Sequence, residues 1–86
     1  MTRPRLLTGA RLHYDDVRAE HVLLIPEGVV RLNPTAAEVL RLCDGERSVD
    51  DIVSALSLRY DGADVGDDVR ELIDAMTQRG LVFDAA

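Results

Sequence analysis

The sequence predicts an α+β fold in which a three-stranded antiparallel sheet is followed by a three-helix bundle. Three observations carry that prediction. Apolar residues alternate, or run in short blocks, through residues 11–32, and from residue 36 onward they recur at helical spacing. The helical stretches open on strong N-terminal residues (Asn33-Pro34, Ser48, Asp64) and close at Asp44-Gly45, Asp61-Gly62 and Gly80. The connections are short, and 86 residues with 47% hydrophobic content suit one small domain spanning 1–86.

The first nine residues have no clear period and are expected to lie extended or frayed. From Arg11 to Tyr14 the chain alternates, with Leu12 and Tyr14 on one face, as a half-buried strand requires. Val22 to Ile25 is apolar on both faces and reads as the central strand. Ile25-Pro26-Glu27-Gly28 fits a type I turn with proline second and glycine fourth. Val29 to Leu32 returns as a third strand, with Val30 and Leu32 on one face and Val29 and Arg31 on the other.

Asn33 is suited to cap a helix and Pro34 to its first position, where the missing N–H is not needed. Ala36, Ala37, Leu40 and Cys43 form the stripe of that helix, which is expected to end at Asp44-Gly45. Ser48 with Asp51 makes a capping box for a second helix, whose apolar face is Ile52, Val53, Leu56 and Tyr60. Asp64 is placed as the cap of a third, with Val69, Leu72, Ile73 and Met76 at i, i+3, i+4, i+7. Leu81 to Phe83 then adds a short strand or packs as a tail. The βββααα order gives a winged-helix-like arrangement.

Composition removes several classes of function. The chain has no lysine, which excludes a Walker A lysine, a Schiff-base lysine and a lysine general base. A net charge of −6 argues against general affinity for nucleic acid or anionic membranes. No apolar run is long enough to span a bilayer, no signal peptide opens the chain, and the single cysteine forms no internal disulfide, so a cytoplasmic location is expected. His13, His21, Asp15 and Asp16 do not match a metal-ligand spacing. Cys43 lies on an apolar stripe and is read as a buried structural thiol. The pairs Asp50-Asp51 and Asp67-Asp68 fall in first helical turns, where carboxylates complement the helix dipole. No catalytic motif, cofactor motif or metal site is read, and the chain is expected not to be an enzyme.

Two binding readings remain. As a DNA-binding regulator of winged-helix type, the chain would insert its third helix in the major groove. From Asp64 to Arg79, however, that helix carries five acids against two arginines, the wrong sign for phosphate. The second reading uses the edge of the third strand, where an extended peptide can pair with free backbone groups. Only Arg31 protects that edge, which a terminal segment or a second subunit could equally cover. The charge is also divided. Residues 1–33 hold five arginines against four acids, whereas residues 34–86 hold five against twelve.

Several stretches together resemble the PqqD family. They are Leu24-x-Pro26-Glu27-Gly28, Leu32-Asn33 with Ala36-Ala37, Asp44-Gly45 and Asp67-Asp68-Val69, in a resemblance running from Gly9 to Leu81. The resemblance implies a peptide chaperone of pyrroloquinoline quinone biosynthesis, a peptide recognition element without cofactor. Its partners would be the ribosomally made precursor peptide and a radical S-adenosylmethionine enzyme that receives it. Carried onto this chain, the peptide would lie as an added strand beside Val29, Val30, Arg31 and Leu32. The groove wall would be drawn from Val69, Leu72, Ile73 and Met76, some of which must face the core instead. Val69→Asp is then expected to weaken peptide binding while leaving helical content intact. The chain is expected to be a monomer or a homodimer formed or swapped through the edge.

Overall fold

In the computed structural model, which describes residues 2–85, five strands and three helices follow one another as β1 (Pro4–Leu6), β2 (Arg11–Asp15), β3 (Glu20–Ile25), β4 (Gly28–Leu32), α1 (Pro34–Arg41), α2 (Val49–Arg59), α3 (Gly66–Gln78) and β5 (Val82–Asp84). The sheet β2-β3-β4 is antiparallel, with β3 in the middle. Its register pairs Leu12 with Leu23, Leu23 with Val30 and His21 with Leu32, so these residues share the face that packs on the helices. The expected α+β arrangement of a three-stranded sheet followed by three helices is therefore present.

The β3–β4 hairpin turns on Pro26-Glu27, with Ile25 opposite Gly28. Glu27 is not among the residues with positive φ, so the turn lacks the backbone hand that matches strand twist. Gly28 absorbs the mismatch at φ 152°. A Cβ at that position would meet nothing within 4 Å, so glycine is needed there for its backbone freedom and not for space.

The helix starts follow local chemistry. The Asn33 side-chain oxygen accepts the Ala36 N–H at 2.7 Å and Pro34 occupies the first turn of α1. Ser48 and Asp51 form the reciprocal capping box of α2, with bonds of 3.0 and 3.1 Å. Two boundaries differ from expectation. Helix α1 ends at Arg41, before Asp44-Gly45, because Asp44 bridges to Arg5 of β1 and Gly45 bonds to Pro4. Helix α3 begins at Gly66 after Val65, with no side-chain cap. Asp64 lies one residue too early and instead accepts the Gly66 N–H at 3.3 Å.

The N-terminal segment is extended but not frayed. β1 pairs antiparallel with β5, matching Leu6 to Val82 and Pro4 to Asp84. The Asp84 carboxylate accepts the N–H groups of Thr2 and Arg3, and the Gly45 N–H donates to the Pro4 carbonyl at 2.9 Å. Gly45 sits at φ 82°, where a Cβ would come within 3.2 Å of Ala85 and 3.3 Å of Arg5. The two ends of the chain thus close together beneath the α1–α2 connection. Buried Pro4 and Val82 join this seam to the molecule.

The core gathers Leu23, Val39, Leu40, Ile52, Leu56, Val69, Ile73 and Val82, with Leu12, Val30 and Leu32 packed against it. Cys43 belongs to it too, its thiol donating to the Val39 carbonyl. Burial, reinforced by the neighbouring Asp44 charge, pushes that thiol up to about 12, so it is protonated and unreactive at neutral pH. Among the described residues, no helix is long and apolar enough to cross a membrane.

Two measurements check this account. Leu23 has no exposed surface, so Leu23→Ala should cost about 2–5 kcal/mol in urea unfolding, by lost transfer energy and the cavity left behind. The hydrogen bond from the Ser48 N–H, then that involving the Ser48 side chain, hold the Asp51 carboxyl below its ordinary 3.8. Its folded pKa being the lower one, its stabilisation is present above about pH 4 and is lost as the pH falls through the depressed value. Asp51→Ala should therefore lower the urea midpoint at pH 7, and the gap to the parent should narrow as the pH falls through the depressed value.

Candidate functional site

Backbone geometry selects the site before any side chain does. In a hairpin closed by a two-residue turn, the residues flanking the turn form a hydrogen-bonded pair, and later pairs alternate. Ile25 and Gly28 are that flanking pair. Val30 therefore turns its N–H and C=O toward β3, whereas Val29 and Arg31 turn theirs to the open side of the sheet. β2, the other edge of the same sheet, carries Arg11, His13 and Asp15 among its five residues, the charged protection usual for an edge. β4 carries only Arg31.

The end of β4 runs into a cleft of about 230 Å3 between the three helices. Asn33, Thr35, Ala36 and Val39 line it from the start of α1, and Leu56 and Tyr60 from the end of α2. Val65, Asp68, Val69 and Leu72 complete it. Its volume is below the roughly 300 Å3 at which small-molecule sites begin, and it is the right scale for a side chain or two of an extended chain. Asp68 places a carboxylate in this lining, and α3 exposes Asp67, Glu71 and Asp74 as well. Such a wall repels phosphate and tolerates a ligand held through its main chain.

The structure sorts the eight residues expected at the site. Val29 is 61% exposed and Arg31 is exposed, while Val30 and Leu32 turn inward and are half-buried. On α3, Ile73 and Met76 belong to the core and do not line this cleft, so they are the stripe members that face the core. Val69 borders the cleft but is only 2% exposed. A charge there would be buried in the core, so Val69→Asp would disrupt folding and cannot probe the site as expected. Leu72, half-buried and lining the cleft, is the stripe residue available to a ligand.

Sequence reasoning missed Thr35, Val65, Tyr60 and Asp68. Tyr60 was visible as the last member of the α2 stripe, but only the meeting of α2 with α1 and α3 gives it a cleft to line. The titratable residues considered for metal binding do not converge. By register His13 lies on the outer face opposite Val22, whereas His21 lies on the inner face against Tyr14, their ring centres 4.8 Å apart. The Asp15 carboxylate accepts the N–H groups of Val17 and Arg18 in the β2–β3 turn.

Comparison with known proteins converges on one family. Residues 20–82 match the family described as Coenzyme PQQ synthesis protein D (PqqD). A protein of Rhodopseudomonas palustris (strain TIE-1) named PqqA binding protein is 40% identical over 86 residues, covering 98% of this chain and 84% of its own length. Proteins of the same name from Methylococcus capsulatus (strain Bath) and Azotobacter vinelandii (strain DJ) are 36% and 39% identical. They cover 84% and 92% of this chain, and 77% and 87% of their own lengths. The solution structure of the PqqD truncation of Methylobacterium extorquens PqqCD superposes with a TM-score of 0.75 at 36% identity. The superposition covers 93% of this chain and 87% of that one. That protein is described as a functional, stand-alone recognition element for ribosomally synthesized and post-translationally modified peptides. With sequence match and fold in agreement, this chain belongs to the PqqD family.

Proposed function

We infer that this chain is a peptide chaperone of pyrroloquinoline quinone biosynthesis, acting in the cytoplasm by binding and not by catalysis. It takes up the ribosomally made precursor peptide, PqqA, as a strand added to β4, and presents it to the radical S-adenosylmethionine enzyme of the pathway. One observation carries the reading: the outward N–H and C=O groups of Val29 and Arg31 form an edge, guarded by a single charge, that leads into the cleft bordered by Leu72, Val69 and Tyr60. The names of its relatives support it.

Affinity in this mode comes from main-chain hydrogen bonds, and selectivity from the side chains that alternate into the groove. A peptide residue opposite Val30 or Leu32 would point toward the helices and the cleft. One opposite Val29 or Arg31 would point to the outer face of the sheet. No cofactor or metal enters this scheme. A second copy of the chain could occupy the same edge, so the free protein would be a monomer or an edge-paired or swapped dimer that the peptide disrupts.

Because the backbone is the proposed ligand contact, a backbone change must matter more than a side-chain change at one position. Arg31→Pro removes an outward N–H while leaving the β3–β4 ladder intact, since proline is tolerated on an edge strand when its nitrogen faces outward. Calorimetric titration with PqqA should show at least about a fivefold loss for Arg31→Pro, the worth of one net hydrogen bond. Arg31→Ala should stay within about twofold of the parent, because its ion pair with Glu20 is long at 3.7 Å and exposed. Equal affinity for the parent and the proline variant would remove β4 from the site. Leu72→Ala should weaken PqqA about tenfold, the loss of a modest apolar contact, with helical content by circular dichroism unchanged.

A further inference from the structure

The outer face of the β2-β3-β4 sheet is unusual for a small antiparallel sheet. Such sheets ordinarily bury one face and place polar residues on the other. Here the outward residues of β3 and β4 include Val22, Leu24 and Val29. Val22 is only 6% exposed yet lies outside the core cluster. It borders a depression of about 300 Å3 lined by Leu24 and Val29 and by His13, Asp15, Arg18, Glu20 and Arg31. An apolar centre with a charged rim is the usual form of a protein–protein contact.

The charges of this face are partly committed. Asp15 is held by the turn and Glu20 faces Arg31. Among the described residues, the guanidinium groups of Arg11 and Arg18 make no salt bridge. Arg11, Arg18 and Arg31 against Asp15 and Glu20 therefore leave this face with a small positive excess, on a chain whose net charge is −6. Face-to-face stacking of two copies would set these arginines against one another, which disfavours self-association here. A nucleic acid would find an apolar centre and two carboxylates in the same face.

We propose that this outer sheet face is the docking surface for the enzyme that receives the peptide, through a region of that enzyme with an apolar centre and a carboxylate rim. The proposal rests on capture at β4, because a strand added there would extend this same face. Alternate residues of the captured peptide, those opposite Val29 and Arg31, would lie beside these two side chains, one strand beyond Leu24, in the plane the enzyme contacts. Chaperone and peptide together then present one continuous surface, and the loaded form offers more contact than the empty one.

The test uses the full chain, PqqA and the radical S-adenosylmethionine enzyme, with enzyme binding followed by biolayer interferometry over a range of salt. Arg11→Glu with Arg18→Glu should lower enzyme affinity at least tenfold and flatten its salt dependence, because rim charges set the association rate. PqqA affinity should stay within twofold, which also reports that the variant is folded. Arg47→Glu with Arg79→Glu, an equal charge change away from this face, should leave enzyme binding within twofold. The milder pair Arg11→Gln with Arg18→Gln should show the same ordering if the reversal misfolds. Unchanged enzyme affinity in both Arg11/Arg18 variants, or an equal loss in the Arg47/Arg79 control, would overturn the placement while leaving peptide capture standing. Failure of the parent to bind the enzyme even when loaded with PqqA would overturn the partnership itself. A dimer seen by sedimentation and abolished by Arg11→Glu with Arg18→Glu would assign the face to a second copy and overturn the proposal.

Discussion

The register of the β3–β4 hairpin is the constraint on which the other features depend. Pro26-Glu27 allows a two-residue turn, and Gly28 supplies the φ that lets the strand leave it. Leu23, opposite Val30 and without exposed surface, locks that register against the helices. A slip of one residue would turn Val29 and Arg31 into the core and Val30 and Leu32 out of it. It would also exchange which backbone groups face the open side. The same few residues thus decide the packing of the sheet, the identity of its free donors and acceptors, and the composition of its outer face.

A second level of organisation is electrostatic. The acidic first turns of α2 and α3 are what helix dipoles favour, and they give the helical side a charge unsuited to nucleic acid. Strand pairing is indifferent to that charge because the ligand's main chain carries no net charge. A helix that would fail as a DNA reader can therefore form one wall of a peptide groove. The outer face of the sheet carries Arg11 and Arg31, with Arg18 in the adjoining turn, so the two sides of a small molecule differ in charge.

Most of the fold was legible where local chemistry decides it. Asn33-Pro34 and the Ser48/Asp51 box start their helices as read, since each acts within one turn of chain. The pairing of Leu6 with Val82 was not legible. Three-residue strands have little period, and these two lie at opposite ends of the sequence. The α3 stripe had a similar limit. Spacing placed Val69, Leu72, Ile73 and Met76 on one side of the helix, but only the approach of α1 and α2 separates half-buried Leu72 from Ile73 and Met76. The open edge of the third strand could be read from the sequence, whereas the lining by Tyr60, Val65 and Asp68 needed the assembled cleft.

The central claim is that β4, and not β2, receives an extended peptide whose flank enters the cleft of α1, α2 and α3. Its most direct test is an amide-shift titration of the isotope-labelled chain with PqqA. The account predicts the largest changes at the N–H groups of Val29 and Arg31, with further changes at Val65, Asp68 and Leu72, and little movement from Arg11 to Asp15. Shifts concentrated on β2, or none at saturating peptide, would contradict it.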